Sequence, residues 1–187
     1  MVDNAVDQGD EAAAFVTRAI GTERKYRLVF MGEDAHRSVN EAIAPNHEVS
    51  FADGYPFLVA STSSLADLNR RIENPKDRVP MERFRPNIVV DGLYPWTEDL
   101  NGTRLIFKSG HVLKFIKPCD RCKVTTIDQQ TGAIQPSQEP LKTLKTFRRI
   151  KGGMEVFFAT NAVLEKQGSG PIELGEVEID WFDTIKI

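Results

Sequence analysis

The sequence predicts a mainly β, barrel-like domain with a few short peripheral helices. Three observations point there. In the second half, apolar residues fall in short β-branched runs bounded by Gly, Pro, Asn or Asp. These runs do not alternate with long amphipathic segments, which argues against a doubly wound parallel sheet. Finally, Phe107-Lys108-Ser109-Gly110-His111 has the composition of a hairpin turn between two such runs.

Taken in order, residues 1–9 are polar and loose, and Asp10 or a neighbour caps a short helix through Ala12, Ala13, Phe15, Val16 and Ile20, whose spacing gives one apolar face. Gly21 ends it. Residues 1–22 thus read as a tail with a helix, and 23–187 as the domain. Tyr26–Phe30 reads as a strand, His36–Glu48 as a loop, and Phe57–Ser61 as a strand. Ser61 or Thr62 then caps a helix carrying Leu65, Leu68 and Ile72, which Asn74-Pro75 breaks. Further strands are expected over 87–90, 104–107, 111–117, 122–127, 154–159, 171–174 and 176–179, with one short helix over 140–147.

The chain has 187 residues, 41% of them hydrophobic, enough for one core. A net charge of −3 argues against bulk attraction to nucleic acid. The charge is unevenly placed. Residues 102–151 hold 11 Lys and Arg against three acids, a net of +8 that leaves −11 for the rest. That stretch is either a solvated basic sheet edge or a seat for a phosphate-bearing ligand. No run of eighteen apolar residues suggests a membrane span, and the acidic start (Asp3, Asp7, Asp10, Glu11) is unlike a secretory signal. A cytoplasmic, reducing location is expected, with both thiols free.

Those thiols, Cys119 and Cys122, lie three residues apart inside the basic stretch. Structural zinc would need two more ligands, and His36, His47 and His111 show no paired spacing. A thioredoxin-like pair would open a helix, whereas Val124-Thr125-Thr126-Ile127 reads as strand. The cysteines are then either idle, or one thiolate holds a metal whose other ligands come from a cofactor. Arg85 precedes Pro86 and Asn87, and its planar fork suits a phosphate or a carbonyl edge. Asp53 lies in the turn Ala52-Asp53-Gly54-Tyr55-Pro56, and Asn161 is expected in a loop after the strand over 154–159.

Together several segments resemble the MOSC domain, the module named for the C-terminal region of molybdenum-cofactor sulfurases. The resemblance extends to mitochondrial amidoxime-reducing components and bacterial 6-hydroxylaminopurine reductases. It runs from Tyr26 to Ile179 through Asp53-Gly54-Tyr55-Pro56-Phe57-Leu58, Ser64-Leu65-Ala66-Asp67-Leu68-Asn69, Phe84-Arg85-Pro86-Asn87-Ile88-Val89, Cys119-Asp120-Arg121-Cys122, Thr125-Thr126-Ile127-Asp128, Thr131-Gly132, Glu139-Pro140-Leu141 and Leu144.

The resemblance implies a MOSC-type β-barrel and a molybdopterin cofactor, its molybdenum held by the pterin dithiolene and one protein thiolate. The second cysteine of the pair is that ligand and catalytic residue, which falls on Cys122. Arg85 and Asn87 match contacts to the pterin and its phosphate. Asp120 and Arg121 sit beside the ligand, Asp53 matches a pterin-edge position, and Asn161 a position near the cofactor in bacterial members. The implied activity is reduction of N-hydroxylated compounds such as amidoximes and hydroxylaminopurines. The electrons would come from an external iron–sulfur, flavin or cytochrome protein. The alternatives are a carrier of the cofactor or its sulfur, and a degenerate domain that binds none. At the family level the resemblance also admits pyridoxal phosphate binding. The family carries a further segment before this module, which residues 1–25 do not match, and the basic stretch 141–151 is expected to compensate in part. At position 159 the family usually has Gly rather than Ala, and Trp96 stands in for a Trp expected near Gly102.

Overall fold

The computed structural model describes residue 2, residues 4–150 and residues 152–181. The chain forms two compact units, Met1–Pro56 and Phe57–Ile187. In the first, β1 (Val6–Asp7) pairs antiparallel with β2 (Val29–Phe30), and α1 (Gly9–Ile20) lies between them in sequence. The N-cap residue is Gln8, whose side chain makes no capping bond, so the expected Asp10 cap is not formed; the Gly9 amide donates instead to Asp7 Oδ1 at 2.8 Å. Gly21, at φ 70°, closes the helix with its N–H on the Thr17 carbonyl at 3.2 Å, a left-handed stop that glycine adopts without strain. The expected strand over 26–30 shrinks to two residues. As expected, 36–48 is loop.

The second unit is a curled six-stranded sheet that forms a half-barrel. β3 (Phe57–Ser61) leads into α2 (Thr62–Arg71); β4 (Ile88–Val90), β5 (Arg104–Phe107), β6 (Val112–Asp120), α3 (Leu141–Phe147), β7 (Phe157–Lys166) and β8 (Val177–Asp180) follow. The strand order is β4-β3-β7-β6-β5-β8. Among the described strands only the β3–β4 pair is parallel, and α2 belongs to the connection between them, as parallel neighbours require. The β5–β6 hairpin closes at Gly110, φ 83°.

Alternation along the strands builds two cores. Val59, Val90, Leu105, Leu113, Phe115 and Ala162 pack on one side; Ala60, Leu68, Phe84, Leu144 and Phe158 pack with the helices on the other. Phe84 and Phe158 stack with centroids 3.8 Å apart. A polar network is buried with the second group. Ser64 Oγ donates to Glu98 Oε2 at 2.8 Å and accepts the Trp96 N–H at 2.8 Å. Trp96 Nε1 and Arg71 Nε donate to Asp67 Oδ2 at 2.9 and 2.7 Å, and Arg70 pairs with Asp67 Oδ1.

Three expectations are corrected. Residues 123–126 form a 3₁₀ turn, not a strand, because the Thr125 and Thr126 hydroxyls donate to the carbonyls of Cys122 (3.0 Å) and Lys123 (2.7 Å). Residues 171–174 are irregular. Asn161 lies inside β7, which starts at Phe157 rather than 154 and runs ten residues through a kink at Ala159, φ 65°.

Candidate functional site

Two segments of the second unit supply the site: 81–87, leading into β4, and 117–128, leaving β6. The second leaves the sheet after Asp120, which is exposed and pairs with Phe157. The Thr125 amide and hydroxyl both bond the Cys122 carbonyl, so the chain winds immediately after Cys122 and leaves that residue exposed. The Cys122 sulfur makes no hydrogen bond among the described residues. Cys119 differs. It is partly buried, and its sulfur accepts from Arg121 Nη1 at 3.0 Å. Burial pushes the Cys119 thiol up, against the pull of the Arg121 guanidinium and the Asn161 side chain. Cys119 is therefore a weakly acidic, engaged thiol, and Cys122 the accessible one.

Arg121 ties the two segments together. Its Nη2 donates to the Phe84 carbonyl at 2.7 Å, its backbone N–H to the Val156 carbonyl at 2.8 Å, and its guanidinium lies 5.6 Å from the Phe84 ring centroid. The buried Arg121 Nε has no partner among the described residues. A second tie lies one residue earlier, where Arg83, buried, reaches Asp128 at 3.1 Å. The Asp128 carboxyl, lowered first by the Thr131 hydroxyl and then by the Thr131 amide, also organises the turn 128–133. Neither tie is a local bond: Arg121 and Phe84 lie 37 residues apart and Arg83 and Asp128 45, beyond any local sequence pattern.

Arg85 follows a 3₁₀ turn, Met81–Phe84, and sits at φ 54°, ψ 48°. A left-handed arginine costs on the order of 1 kcal/mol, and such outliers persist where surroundings impose them. Here the Arg85 N–H, donated to the Glu82 carbonyl (3.1 Å), holds it, against the extended backbone that the following Pro86 favours. The side chain is exposed, with no ion pair or hydrogen bond among the described residues. Asn87 is built into the sheet. Its Oδ1 accepts the Leu58 N–H at 2.8 Å, and its own N–H donates to the Leu58 carbonyl at 2.9 Å. That leaves the Asn87 Nδ2 donors without a partner among the described residues. Leu58 pairs across with Asn161, and Asn161 with Lys117, so Asn87, Leu58, Asn161 and Lys117 form a row across four strands.

The structure thus gathers Arg85, Asn87, Asp120, Arg121, Cys122 and Asn161 in one unit. Asp53 belongs to the other; there its carbonyl accepts from Arg37 Nη2 at 2.6 Å, and Arg37 also bonds the Ser50 and Ala52 carbonyls. The basic stretch 141–151 is less available than expected. Arg148 is ion-paired with Asp99 and lies 4.5 Å over the Trp96 ring, while Lys151 lies outside the described residues. Among the described residues no three His, Cys, Asp or Glu side chains cluster to hold a metal by themselves. Nor is any helix there long and apolar enough to cross a membrane.

Comparison with known proteins shows the family. The model of the MOSC domain matches residues 46–177. Mitochondrial amidoxime reducing component 2 of Bos taurus is 40% identical over 147 residues, covering 76% of this chain and 41% of the relative. Mitochondrial amidoxime-reducing component 1 of Homo sapiens is 34% identical over 181 residues, 91% of this chain and 51% of the relative. Molybdenum cofactor sulfurase of Arabidopsis thaliana is 35% identical over 157 residues, 77% of this chain and 19% of the relative. The chain thus spans about half or less of each of these relatives. With a half-barrel sheet, a family model over most of its length and relatives of this similarity, the chain belongs to the MOSC domain family.

Proposed function

We propose that this chain binds a molybdenum cofactor through Cys122 and reduces N-hydroxylated compounds, amidoximes among them, with electrons from an external donor protein. The observation that carries the reading is the division of labour between the two cysteines: Cys122 is exposed and unbonded, Cys119 half-buried and held by Arg121. A soft thiolate is the donor that molybdenum favours.

The remaining residues fit an anionic pterin. Among the described residues Arg85 offers an unpaired fork of N–H donors and Asn87 an unpaired Nδ2. Arg121 and Arg83 hold the Arg85 turn against the cysteine segment, so the donors stand in place before any ligand arrives. Asn161 and Lys117 extend the polar row toward Cys119. When bound, the cofactor supplies the two-electron chemistry by which an N–OH group, two electrons and two protons become N–H and water. The chain's own part is to hold the cofactor and leave the Cys122 side open to substrate.

The test is metal analysis of purified variants. Cys122→Ala is expected to lose molybdenum, and Cys119→Ala to keep it. Equal molybdenum in both would refute the assignment. Amidoxime reduction with a chemical reductant then reads turnover. A second reading, a carrier of the cofactor, draws on the likeness to molybdenum cofactor sulfurase; bound cofactor without turnover would favour it.

A further inference from the structure

We propose that the open seam of the half-barrel, between β4 and the chain leading into β8, is a docking groove for an extended segment of another protein in which apolar residues alternate with Lys or Arg. Such docking requires no cofactor and stands apart from the reductase reading. β4 and β8 are the two ends of the strand order, and among the described residues neither pairs with a further strand on its outer edge. The curl of the sheet brings them to one concavity of about 700 Å³. Ile88, Val89 and Val90 of β4 line one part of it, and Ile172, Leu174 and Val177 another. It also reaches Leu105 and Phe107, which belong to the same core as Val59 and Phe115.

The backbone at this seam is ready for a strand. Asn87 donates its N–H to the Leu58 carbonyl on β3. Backbone groups alternate in direction along a strand, so those of Ile88 turn to the free edge, where an added strand would meet them. Neither proline nor lysine, the common guards of a free edge, lines the groove. Val89 is 48% exposed and Leu174 fully so, and an extended segment with alternate side chains turned inward would cover them. Charge then selects the segment. Asp91, Glu173 and Glu176 line the groove, and no Lys, Arg or His does. Glu178 adds an exposed acid two residues further along. Asp91 is bonded to the neutral Thr62 hydroxyl. Glu176 meets Lys108, but the two side chains are 89% and 75% exposed, a pair that water screens. An acidic, apolar groove beside a free strand edge fits a strand with apolar residues on one face and cations on the other, added edge to edge.

The experiment titrates the full chain by calorimetry with three peptides. One is acetyl-Lys-Val-Lys-Val-Lys-Val-Lys-amide, the second has Glu in place of Lys, and the third is the first with alternate backbone nitrogens methylated. The Lys/Val peptide is expected to bind, the Glu/Val peptide to bind at least tenfold more weakly, and the methylated one to lose binding because it cannot join the ladder. The double variant Glu173→Gln, Glu176→Gln is expected to weaken the Lys/Val peptide about tenfold. Both positions are exposed, and a urea midpoint equal to the parent's shows that the variant folded. Equal binding of the Glu/Val peptide, binding that survives methylation, or binding undiminished in the double variant overturns the proposal. So does absence of Lys/Val binding; if the chain then sediments as a dimer, a second copy covers the seam instead.

Discussion

Arg121 Nη2 donates to the carbonyl of Phe84 at 2.7 Å, and each partner is followed directly by a residue of the proposed site, Cys122 and Arg85. One guanidinium thus sets the spacing between the sulfur and the arginine fork. Its other arm, Nη1, rests on the Cys119 sulfur at 3.0 Å, which gives the first cysteine a structural role.

Arg121→Lys tests this clasp. An ammonium keeps the charge but lacks the planar fork that reaches two acceptors at once. Losing a charged hydrogen bond to a carbonyl in a packed turn costs about 1.5–3 kcal/mol. The variant is expected to lose that stability in urea and to retain less molybdenum. Unchanged stability would show that the Phe84 carbonyl finds another donor.

Part of this could be read directly from the chain. The strands 57–61 and 104–107 were legible to the residue because their apolar runs are local and sharply bounded. The segment after Cys122 was not: Val124, Thr125, Thr126 and Ile127 carry strong β propensity, yet two threonine hydroxyls bonded to preceding carbonyls turn it into a 3₁₀ winding. That error touched the site, since the winding is what leaves Cys122 exposed at the turn's start. The Asn87–Leu58 and Arg121–Phe84 bonds span 29 and 37 residues, beyond any local pattern. Resemblance to a family brought Arg85, Asn87 and Cys122 together; the structure adds what holds them.

Ala159 offers a sharper test of local strain. It stands at φ 65° inside β7, wholly buried, where the resembling family usually has Gly. Left-handed backbone costs an alanine on the order of 1 kcal/mol, while removing a buried methyl costs roughly 0.8 kcal/mol. Ala159→Gly is therefore expected to be near neutral. Ala162→Gly, equally buried in the same strand but without positive φ, should cost about 1.3–1.8 kcal/mol, the lost methyl plus glycine's backbone entropy. Equal losses in urea denaturation would mean that the kink carries no strain.

The buried carboxylates should pull stability in opposite directions with pH. Burial pushes the Asp67 carboxyl up, but Arg71, Arg70 and Trp96 outweigh it and bring it from 3.8 to about 2. A depressed carboxyl contributes stability above its unfolded value that is lost as pH falls through the folded one, here about 2 kcal/mol. Asp67→Asn is thus expected to be destabilising at neutral pH and to converge with the parent toward about pH 2. Burial holds the Glu98 carboxyl above its ordinary range, chiefly by desolvation and against the Ser64 hydroxyl. Its contribution is present in acid and lost as pH rises through that raised value. Glu98→Gln should accordingly gain on the parent as pH climbs. Urea midpoints measured across the acid range would decide both; parallel curves for either variant would contradict its assigned sign.

Asn87 separates fold from function most cleanly. Its Oδ1 holds the Leu58 N–H at 2.8 Å and starts the parallel β3–β4 pairing, while Nδ2 has no partner among the described residues. Asn87→Asp keeps an acceptor for Leu58 but replaces the free amide donors with a negative charge. Its stability should stay within about 1 kcal/mol of the parent. Its molybdenum and pterin content, however, should fall by about tenfold or more, because an anionic group would face a carboxylate where a donor stood. Asn87→Leu removes both functions and should lose the cofactor along with about 1–2 kcal/mol, from the unpaired Leu58 amide. If Asn87→Asp retained a full complement of cofactor, Asn87 would be a strand clasp alone, and Arg85 would stand as the anchor for the anionic group on this side of the sheet.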